Sequence, residues 1–273
     1  MAEPAYRAGP MPAYLALLRG QARSQASYRT SFVIELIGNI GATVFDVLTV
    51  LVLFRVTGQL GGFDLAEAMV MVGLSSVAFA AADLTVGNVD RLRNYVRNGL
   101  LDAVLVRPLG ALPQLLLMDL PLRKASRTLF GLGVLVAALV AADVHWTPAR
   151  VALVVVAPLA GTLFFASIFV ATATLAFWWI DSGEVGAAFT FGGRDFTSYP
   201  MTVYSGWFRA VFAYGLGFGF VAYYPALALL GRTDPLGLPT WVSWAAPGVA
   251  LLAAAVAAVA WRVGVRHYRG TGS

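Results

Sequence analysis

The chain has 273 residues, of which 59% are hydrophobic and 12% charged, and it carries a net charge of +5 with no cysteine. An average soluble domain is about 25% charged, so a water-soluble fold could not cover this much apolar side chain with so few charges. The composition therefore excludes an ordinary soluble enzyme and a disordered chain, and it predicts an all-α integral membrane protein. The lack of cysteine also excludes disulfides and thiolate metal sites.

Apolar runs predict where the chain crosses the membrane, because a helix needs about 20 apolar residues to span a bilayer. Residues 1–30 are polar and carry four arginines, so they are predicted to form a cytoplasmic arm with an interfacial helix. The run that begins near Ser31 is too long for the apolar core of a cleaved signal peptide. The sequence predicts six transmembrane helices, at 31–54, 65–86, 119–142, 151–179, 208–230 and 241–263. A cytoplasmic tail is predicted at 264–273.

Basic residues set the predicted orientation. Both terminal segments are basic, so the positive-inside bias places both in the cytoplasm and requires an even number of spans. The third span is the weakest, because Arg123, Lys124 and Arg127 precede its apolar part, although these side chains can snorkel to the headgroups. With six spans, 16 of the 19 Lys and Arg residues lie on the cytoplasmic side. The connections predicted inside are 87–118 and 180–207, and those predicted outside are 55–64, 143–150 and 231–240.

The first long cytoplasmic connection carries a periodic pattern at 88–108. Val89, Leu92, Val96 and Leu100 recur at helical spacing between charged and amide side chains, which predicts a short amphipathic helix that ends at Asn98-Gly99. A second short apolar stretch follows at 101–106. The pattern alone leaves two interpretations open: a helix resting on anionic headgroups, or a helix that docks into a cytoplasmic partner.

Three motifs in this order resemble one transporter family. The sequence RNGLLDAVLVRP at 97–108 resembles the R-x-G-x-L-D-x-x-L-x-R-P stretch of permease subunits of type-2 ATP-binding-cassette (ABC) exporters. Tyr199-Pro200 with Tyr204 and Trp207, and then VAYYPA at 221–226, resemble the less characterised bacterial branch of that family, as does the six-span layout. Many members have an amide at the position of Ala222, so a role for that amide does not carry over to this chain.

The resemblance implies a subunit that forms the translocation path in the bacterial plasma membrane and has no catalytic, metal or cofactor site of its own. ATP and Mg would bind a separate P-loop ATPase subunit, and a second permease subunit, identical or related, would complete the path. The chain's one lysine, Lys124, is followed by Ala125, so the chain has no Gly-Lys-Ser/Thr phosphate loop. The residues that the resemblance places at the ATPase contact are Val89, Arg91, Leu92, Arg93, Tyr95, Val96, Arg97, Gly99, Asp102 and Arg107.

The first span carries a polar stripe. Its members share one helix face and are Glu35, Asn39, Thr43 and Asp46. Carboxylates are costly against lipid, so the stripe is predicted to face protein or a wet cavity, either as interhelical hydrogen-bond contacts or as the lining of a transport path. The stripe leaves a proton-coupled secondary transporter as an alternative, with Asp46 or Glu35 titrating, although that class favours inverted repeats that this sequence lacks.

Further expectations concern the fifth span, the substrate and other partners. Pro225, after Tyr224, predicts a helix break and a re-entrant turn near the outer end of that span. Apolar walls of Leu, Val, Phe and Ala suit an amphiphilic substrate. Membrane lipid is an expected partner and nucleic acid is not, because the positive-inside bias accounts for the basic charge. A membrane enzyme is disfavoured, because the two histidines, His145 and His267, lie far apart and no nucleophile pairs with them in sequence.

Overall fold

Helices dominate the residues that the computed structural model describes, which are 29–107, 110–118 and 124–268, with only part of the side chains of the first helix included. The stretches Leu65–Arg97, Pro148–Phe177 and Ala246–His267 are long and apolar enough to cross a bilayer. This confirms the predicted all-α membrane class. In chain order the α-helices are α1 (Arg29–Thr57), α2 (Leu65–Val86), α3 (Leu92–Arg97), α4 (Leu100–Leu105), α5 (Ala111–Met118), α6 (Ala125–Ala141), α7 (Pro148–Ala173), α8 (Gly183–Thr197), α9 (Gly206–Arg209), α10 (Tyr223–Leu230) and α11 (Ala246–His267).

Helix α2 lies at the centre of the bundle, between α6 and α7, and α11 packs along the other side of α7. Glycines permit the close approach of α2 and α6. A Cβ on Gly73 would lie 2.7 Å from the Cα of Leu135, and one on Gly131 would lie 3.3 Å from the backbone nitrogen of Val77. Small residues at helix contacts are the usual way in which membrane helices gain packing, since lipid offers no hydrophobic driving force between them.

Helix α2 has the ends predicted for the second span, whereas the other helix ends differ from the predicted spans by one to six residues, and capping explains one difference. Helix α7 begins before the predicted residue 151, because the Thr147 side chain accepts a hydrogen bond from the Arg150 amide at 3.3 Å and proline occupies the first helical position. Helix α6 begins at Ala125, and residues 119–123 of the predicted third span lie outside the described residues, as do the predicted arm up to residue 28 and the tail after 268. Helix α5 is an unpredicted helix within the connection at 87–118.

We call one end of the bundle the basic end, and it is formed by 87–107, 178–184 and 264–268. Two contacts bring these segments together. Arg97 Nη2 donates to Asp181 Oδ1 at 2.5 Å, and the Trp178 ring stacks on His267 with centroids 5.4 Å apart. The start of α8 therefore lies beside the end of α11 and the connection that follows α2.

We call the opposite end the distal end, and it is formed by 58–64, 142–147, 201–205 and 231–245. Thr202 Oγ1 donates to the Gly61 carbonyl at 2.8 Å, and Arg232 Nη2 donates to the Gly62 carbonyl at 3.0 Å. The segment between α1 and α2 therefore contacts the chain both before α9 and after α10.

These contacts correct the predicted fifth span. Helix α8 starts at the basic end, covers about 22 Å at 1.5 Å per residue, and continues through the 3₁₀ turn Met201–Val203 to the distal end. The predicted span 208–230 starts and ends at the distal end, so it is a re-entrant segment and α8 makes the crossing. Of the described helices, three stretches are long and apolar enough to span a membrane, and α1, α6 and α8 pack beside them. The predicted cytoplasmic connection 180–207 is likewise corrected, because it contains this crossing.

The re-entrant segment, residues 206–230, bends by 67° between Gly206–Gly215 and Phe218–Leu230. Its first arm is α9 followed by the π-helical turn Ala210–Gly215. The bend falls at Gly217, whose φ of +91° favours glycine and whose added Cβ would lie 2.8 Å from Val249 Cγ1. The break predicted at Tyr224 and Pro225 is thus earlier in the chain, and both residues lie in the first turn of α10, where proline forfeits no helical hydrogen bond.

Candidate functional site

The connection after α2 folds as two short helices whose apolar faces point into the bundle. A 3₁₀ turn, Gly87–Arg91, leads into α3, and Gly99 at φ +67° makes the turn into α4 that Asn98-Gly99 predicted. Three of the apolar residues of the predicted helix are nearly inaccessible to solvent: Val89 0%, Leu92 1% and Val96 5% exposed. The apolar face therefore packs against the chain's own helices and does not rest on a membrane surface.

The polar side of the same two helices faces solvent. Tyr95 and Gly99 are half-buried at the edge of the packed face. The remaining residues that the resemblance placed at the ATPase contact are all exposed, and they are Arg91, Arg93, Arg97, Asp102 and Arg107. The predicted set thus divides into an anchoring face and a polar surface, which we call the coupling surface.

The connection between α7 and α8 adds a second element to the coupling surface. Besides the ion pair between Arg97 and Asp181, the two elements enclose an open recess of about 380 Å³. A Cβ on Gly183 would overlap the Arg93 guanidinium, so this glycine permits the close approach of the two segments. The recess is lined by Arg93, Asn94, Arg97, Ile180, Asp181 and Glu184. Periodicity could not reveal this pairing, because its members lie far apart in the sequence.

A buried ion pair lies directly behind the coupling surface. Lys124 Nζ, which precedes α6, donates to Asp83 Oδ1 at 2.7 Å, and the Asp83 side chain is 8% exposed. Next to it, burial raises the pKa of Asp90 from 3.8 to about 6, the Asp83 carboxylate adds to the rise, and Lys124 and Arg93 oppose it. Removing either member of a buried pair is strongly destabilising, so this pair ties α6 to the end of α2.

The end of α11 also meets the coupling surface. Burial raises the pKa of the Tyr268 hydroxyl, and the Asp102 carboxylate adds to the rise. On the neighbouring side, Gln114 Nε2 of α5 donates to the Val104 carbonyl at 3.2 Å and so satisfies the end of α4. The two short helices are thus fixed at several points to the bundle.

The family is decided by comparison with known proteins. A family model described as ABC-2 family transporter protein matches residues 40–272. The chain belongs to this family. It is the membrane permease of an ABC transporter, a transport component that is not itself catalytic, and the family implies association with an ATP-binding subunit. The resemblance found in the sequence is thereby confirmed. The comparisons with curated proteins and with solved structures gave no match.

The distal end of the permease carries a polar cluster, which we call the distal clasp. Its members are Gly62, Phe63, Glu67 and Arg232. Arg232 pairs with the Glu67 carboxylate, donates to the Gly62 carbonyl at 3.0 Å, and lies 4.4 Å from the centroid of the Phe63 ring. Glu67 also accepts from the Asp64 amide at 3.0 Å in the capping box of α2. The clasp joins the start of α2 to Arg232, two residues after the end of the re-entrant segment.

Tyr223 and Tyr224 of the VAYYPA motif hold the same region from within the permease. Both are fully buried. The Tyr223 hydroxyl donates to Asp234 Oδ1 at 2.8 Å, and that oxygen also accepts from the Leu236 amide at 3.0 Å. Arg150 adds a further contact by donating to the Ala228 carbonyl at 3.1 Å. The re-entrant segment is therefore fastened to both α2 and α7.

The polar stripe of the first span lies on α1, but the side chains of its members fall outside the described residues: Glu35, Asn39, Thr43 and Asp46. Its role as contact or path lining stays a prediction.

Arg194 is a charged residue within the bundle that the sequence did not single out. Its side chain is 12% exposed, and its guanidinium carbon lies 5.8 Å from the centroid of the Phe79 ring. Insertion scales put the cost of an arginine at mid-bilayer at about 2.5–3.5 kcal/mol, so such residues face protein or a water-filled cavity. Arg194 lines a recess of about 260 Å³ between α1 and α8.

Proposed function

We propose that this chain is the permease subunit of an ABC exporter in a bacterial plasma membrane, with the basic end and both termini in the cytoplasm. The coupling surface carries this proposal. It presents charged side chains to solvent on helices whose apolar faces are fixed within the bundle, which suits a contact that receives force from a soluble subunit.

The orientation is supported by where the arginines lie. The coupling surface exposes Arg91, Arg93, Arg97 and Arg107, and the end of α11 adds Arg262 and Arg266. Of the other arginines whose side chains the structure describes, Arg127 lies at the start of α6, Arg55, Arg150, Arg209 and Arg232 lie toward the distal end, and Arg194 lies within the bundle. The basic end thus keeps the excess of positive charge that marks a cytoplasmic face.

The partner that binds ATP and Mg would be a separate P-loop ATPase, since this chain lacks the phosphate loop. Its movement would press on Arg93, Arg97 and Asp181. The buried faces of α3 and α4 and the Asp83–Lys124 pair would pass that displacement to α2 and α6.

A second permease subunit, identical or related, would complete the path for an amphiphilic substrate, with membrane lipid around both. The exposed apolar side chains of α1, such as Phe45 at 71% and Val52 at 61%, are available for lipid or for that subunit. The alternative, a proton-coupled transporter that uses Asp46 or Glu35, would require no contact with an ATPase.

The test is co-purification from native membranes of a protein with a P-loop, followed by ATP hydrolysis and transport measurements on the complex. Three variants separate the roles of Arg97: Arg97→Asp, Asp181→Arg and the exchange of both charges. If Arg97 contacts the ATPase, the variant with both charges exchanged should restore the ion pair between positions 97 and 181. It should not restore ATP hydrolysis that is coupled to transport. Full coupling in Arg97→Asp, or full transport without any ATPase, would contradict the proposal.

A further inference from the structure

The last two turns of α11 carry Arg262 and Arg266 on the side that faces away from the bundle. The packed side of these turns is the opposite one. The Trp261 and Phe177 ring centroids are 5.7 Å apart, and a Cβ on Gly264 would overlap the Phe177 ring. Residues four apart are neighbours on one helix face, and both arginines are exposed. The two guanidinium groups therefore lie side by side on the outer surface.

Within the part of the chain that the structure describes, no acidic side chain balances this arginine pair. Helix α11 contains no Asp or Glu, and neither arginine forms an ion pair with a described residue. The Asp102 carboxylate does reach this end of α11, but it acts on the Tyr268 hydroxyl, and Tyr268 lies on the packed side against Phe177. Like charges four residues apart repel each other, and an anion between the two guanidinium groups would offset that repulsion.

Toward the distal end, the outer side of α11 continues as an apolar stripe. Its members are each more than half exposed, and they are Leu252, Val256, Val259 and Val263. The stripe is about 17 Å long at 1.5 Å per residue. Hydrocarbon can therefore cover the helix from the arginine pair to about the middle of the membrane.

Two tryptophans mark the level at which the arginine pair lies. Trp178 and Trp179 are 48% and 54% exposed, and the Trp178 ring stacks on His267, the residue after Arg266. Tryptophan is enriched at the boundary between headgroups and hydrocarbon. The arginine pair is thus at headgroup level, with the apolar stripe beside the acyl chains.

A second copy of the chain fits this side of α11 poorly. A two-fold contact places the same patch of both subunits face to face, so the arginine pair of one copy would meet that of the other. An anionic lipid offers negative charge at the headgroup and hydrocarbon next to it. That is the order in which α11 presents the arginine pair and the apolar stripe.

We infer that the outer side of α11 binds an anionic phospholipid, with its phosphodiester between Arg262 and Arg266 and its acyl chains along the apolar stripe. Guanidinium suits this role, because its fork of donors matches phosphate oxygens and it stays charged next to hydrocarbon. The site does not use the ATPase contact, so it stands apart from the proposed function.

The test uses the full chain in micelles that contain equal amounts of phosphatidylglycerol and phosphatidylcholine with the same acyl chains, and native mass spectrometry identifies the lipid that each chain retains. We expect phosphatidylglycerol to be retained about ten-fold more than phosphatidylcholine, a ratio that corresponds to about 1.4 kcal/mol. The ratio should fall to near one when Arg262→Gln and Arg266→Gln are combined. Replacing both by lysine should retain part of it, because the charge persists without the fork. In nanodiscs, a diazirine in the acyl chain of phosphatidylglycerol should label residues 252–263.

The matched control compares Arg55→Gln with Arg262→Gln, because each removes one exposed arginine from the last turns of a helix. We expect the lipid ratio to fall in Arg262→Gln and to stay unchanged in Arg55→Gln. Equal losses in the two variants would show attraction by net charge alone and would overturn the inference, as would a ratio near one in the wild type. The chain has no cysteine, so a disulfide between two copies of Val259→Cys in membranes would show that a second chain covers this side, which also overturns it.

Discussion

Replacing Arg232 by alanine should destabilise the distal end of the permease. Arg232 makes an ion pair with Glu67, a hydrogen bond to the Gly62 carbonyl and a cation–π contact with Phe63. The Arg232 and Glu67 side chains are 32% and 19% exposed, which lies between a surface pair and a buried one.

The exposure sets the expected magnitude. Surface pairs contribute about 0–1 kcal/mol, and removing one member of a buried pair costs about 3–5 kcal/mol. We therefore expect Arg232→Ala to lower the free energy of unfolding by about 2–3 kcal/mol, with a coupling energy to Glu67→Ala of about 1–2 kcal/mol in a double-mutant cycle. Arg55→Ala is the matched control, because Arg55 is exposed toward the same end, and it should change stability by less than about 0.5 kcal/mol.

The assay is denaturant unfolding in mixed micelles, combined with thiol labelling. The chain has no cysteine, so Ala228→Cys in α10 introduces a single buried thiol. If the clasp holds the re-entrant segment in place, Arg232→Ala should raise the rate at which a membrane-impermeant maleimide labels this thiol. An Arg232→Ala effect no larger than that of Arg55→Ala, with an unchanged labelling rate, would refute the reasoning.

Three further outcomes are expected. Tyr95→Pro should abolish assembly with the ATPase while the membrane helices still insert, because proline costs about 3 kcal/mol inside a helix; co-purification and protease mapping of the inserted chain check this. The Asp90→Asn variant should have a higher melting temperature than the wild type at pH 7.5, because ionisation of a carboxyl with a raised pKa opposes folding. This difference in melting temperature should shrink as the pH falls from about 6 toward 4, where the wild-type carboxyl becomes protonated. Asp46→Leu should reduce transport more than Glu35→Leu does, since the deeper carboxylate has less access to water; normal transport by a folded Asp46→Leu would leave the stripe a packing contact.

The strongly apolar helices could be predicted because their sequence alone meets the requirements of a bilayer. Residues 65–86 of α2 agree with the predicted span, and α11 differs from its predicted span by a few residues at each end. The short helix of the coupling surface was also visible, because Val89, Leu92 and Val96 share a face that the structure buries. These patterns depend on local sequence, so tertiary contacts were not needed to find them.

The fifth crossing could not be predicted in this way, because charged residues and glycines lower the hydropathy of α8. It carries Glu184, Arg194 and Asp195, and its glycines serve close packing. A Cβ on Gly193 would overlap the Phe218 ring of the re-entrant segment. The second arm of the re-entrant segment, Phe218–Leu230, is buried in protein and apolar, so hydropathy assigned the crossing to the re-entrant segment and not to α8.

The polar contacts at both ends were missed for a different reason. Arg97 and Asp181, or Glu67 and Arg232, are separated by many residues, and only the folded chain brings each pair together. One sequence signal was present: an Asp–x–x–Glu at 64–67 before an apolar run predicts a capping box, which places Glu67 at a helix start and hence at an end of the bundle.

Helix α2 connects the three polar regions of this permease. The helical stretch Leu65–Arg97 has 33 residues and runs without a long break from Glu67 in the distal clasp, past Ser75 beside Arg194, to Arg97 on the coupling surface. Its middle cannot bend easily, because Gly73 lies against the Leu135 backbone and protein interiors resist compression. A displacement of the coupling surface must therefore move α2 as a unit or break its contacts with α6. In the first case Glu67 shifts relative to Arg232, and force applied at the basic end reaches the re-entrant segment through one helix.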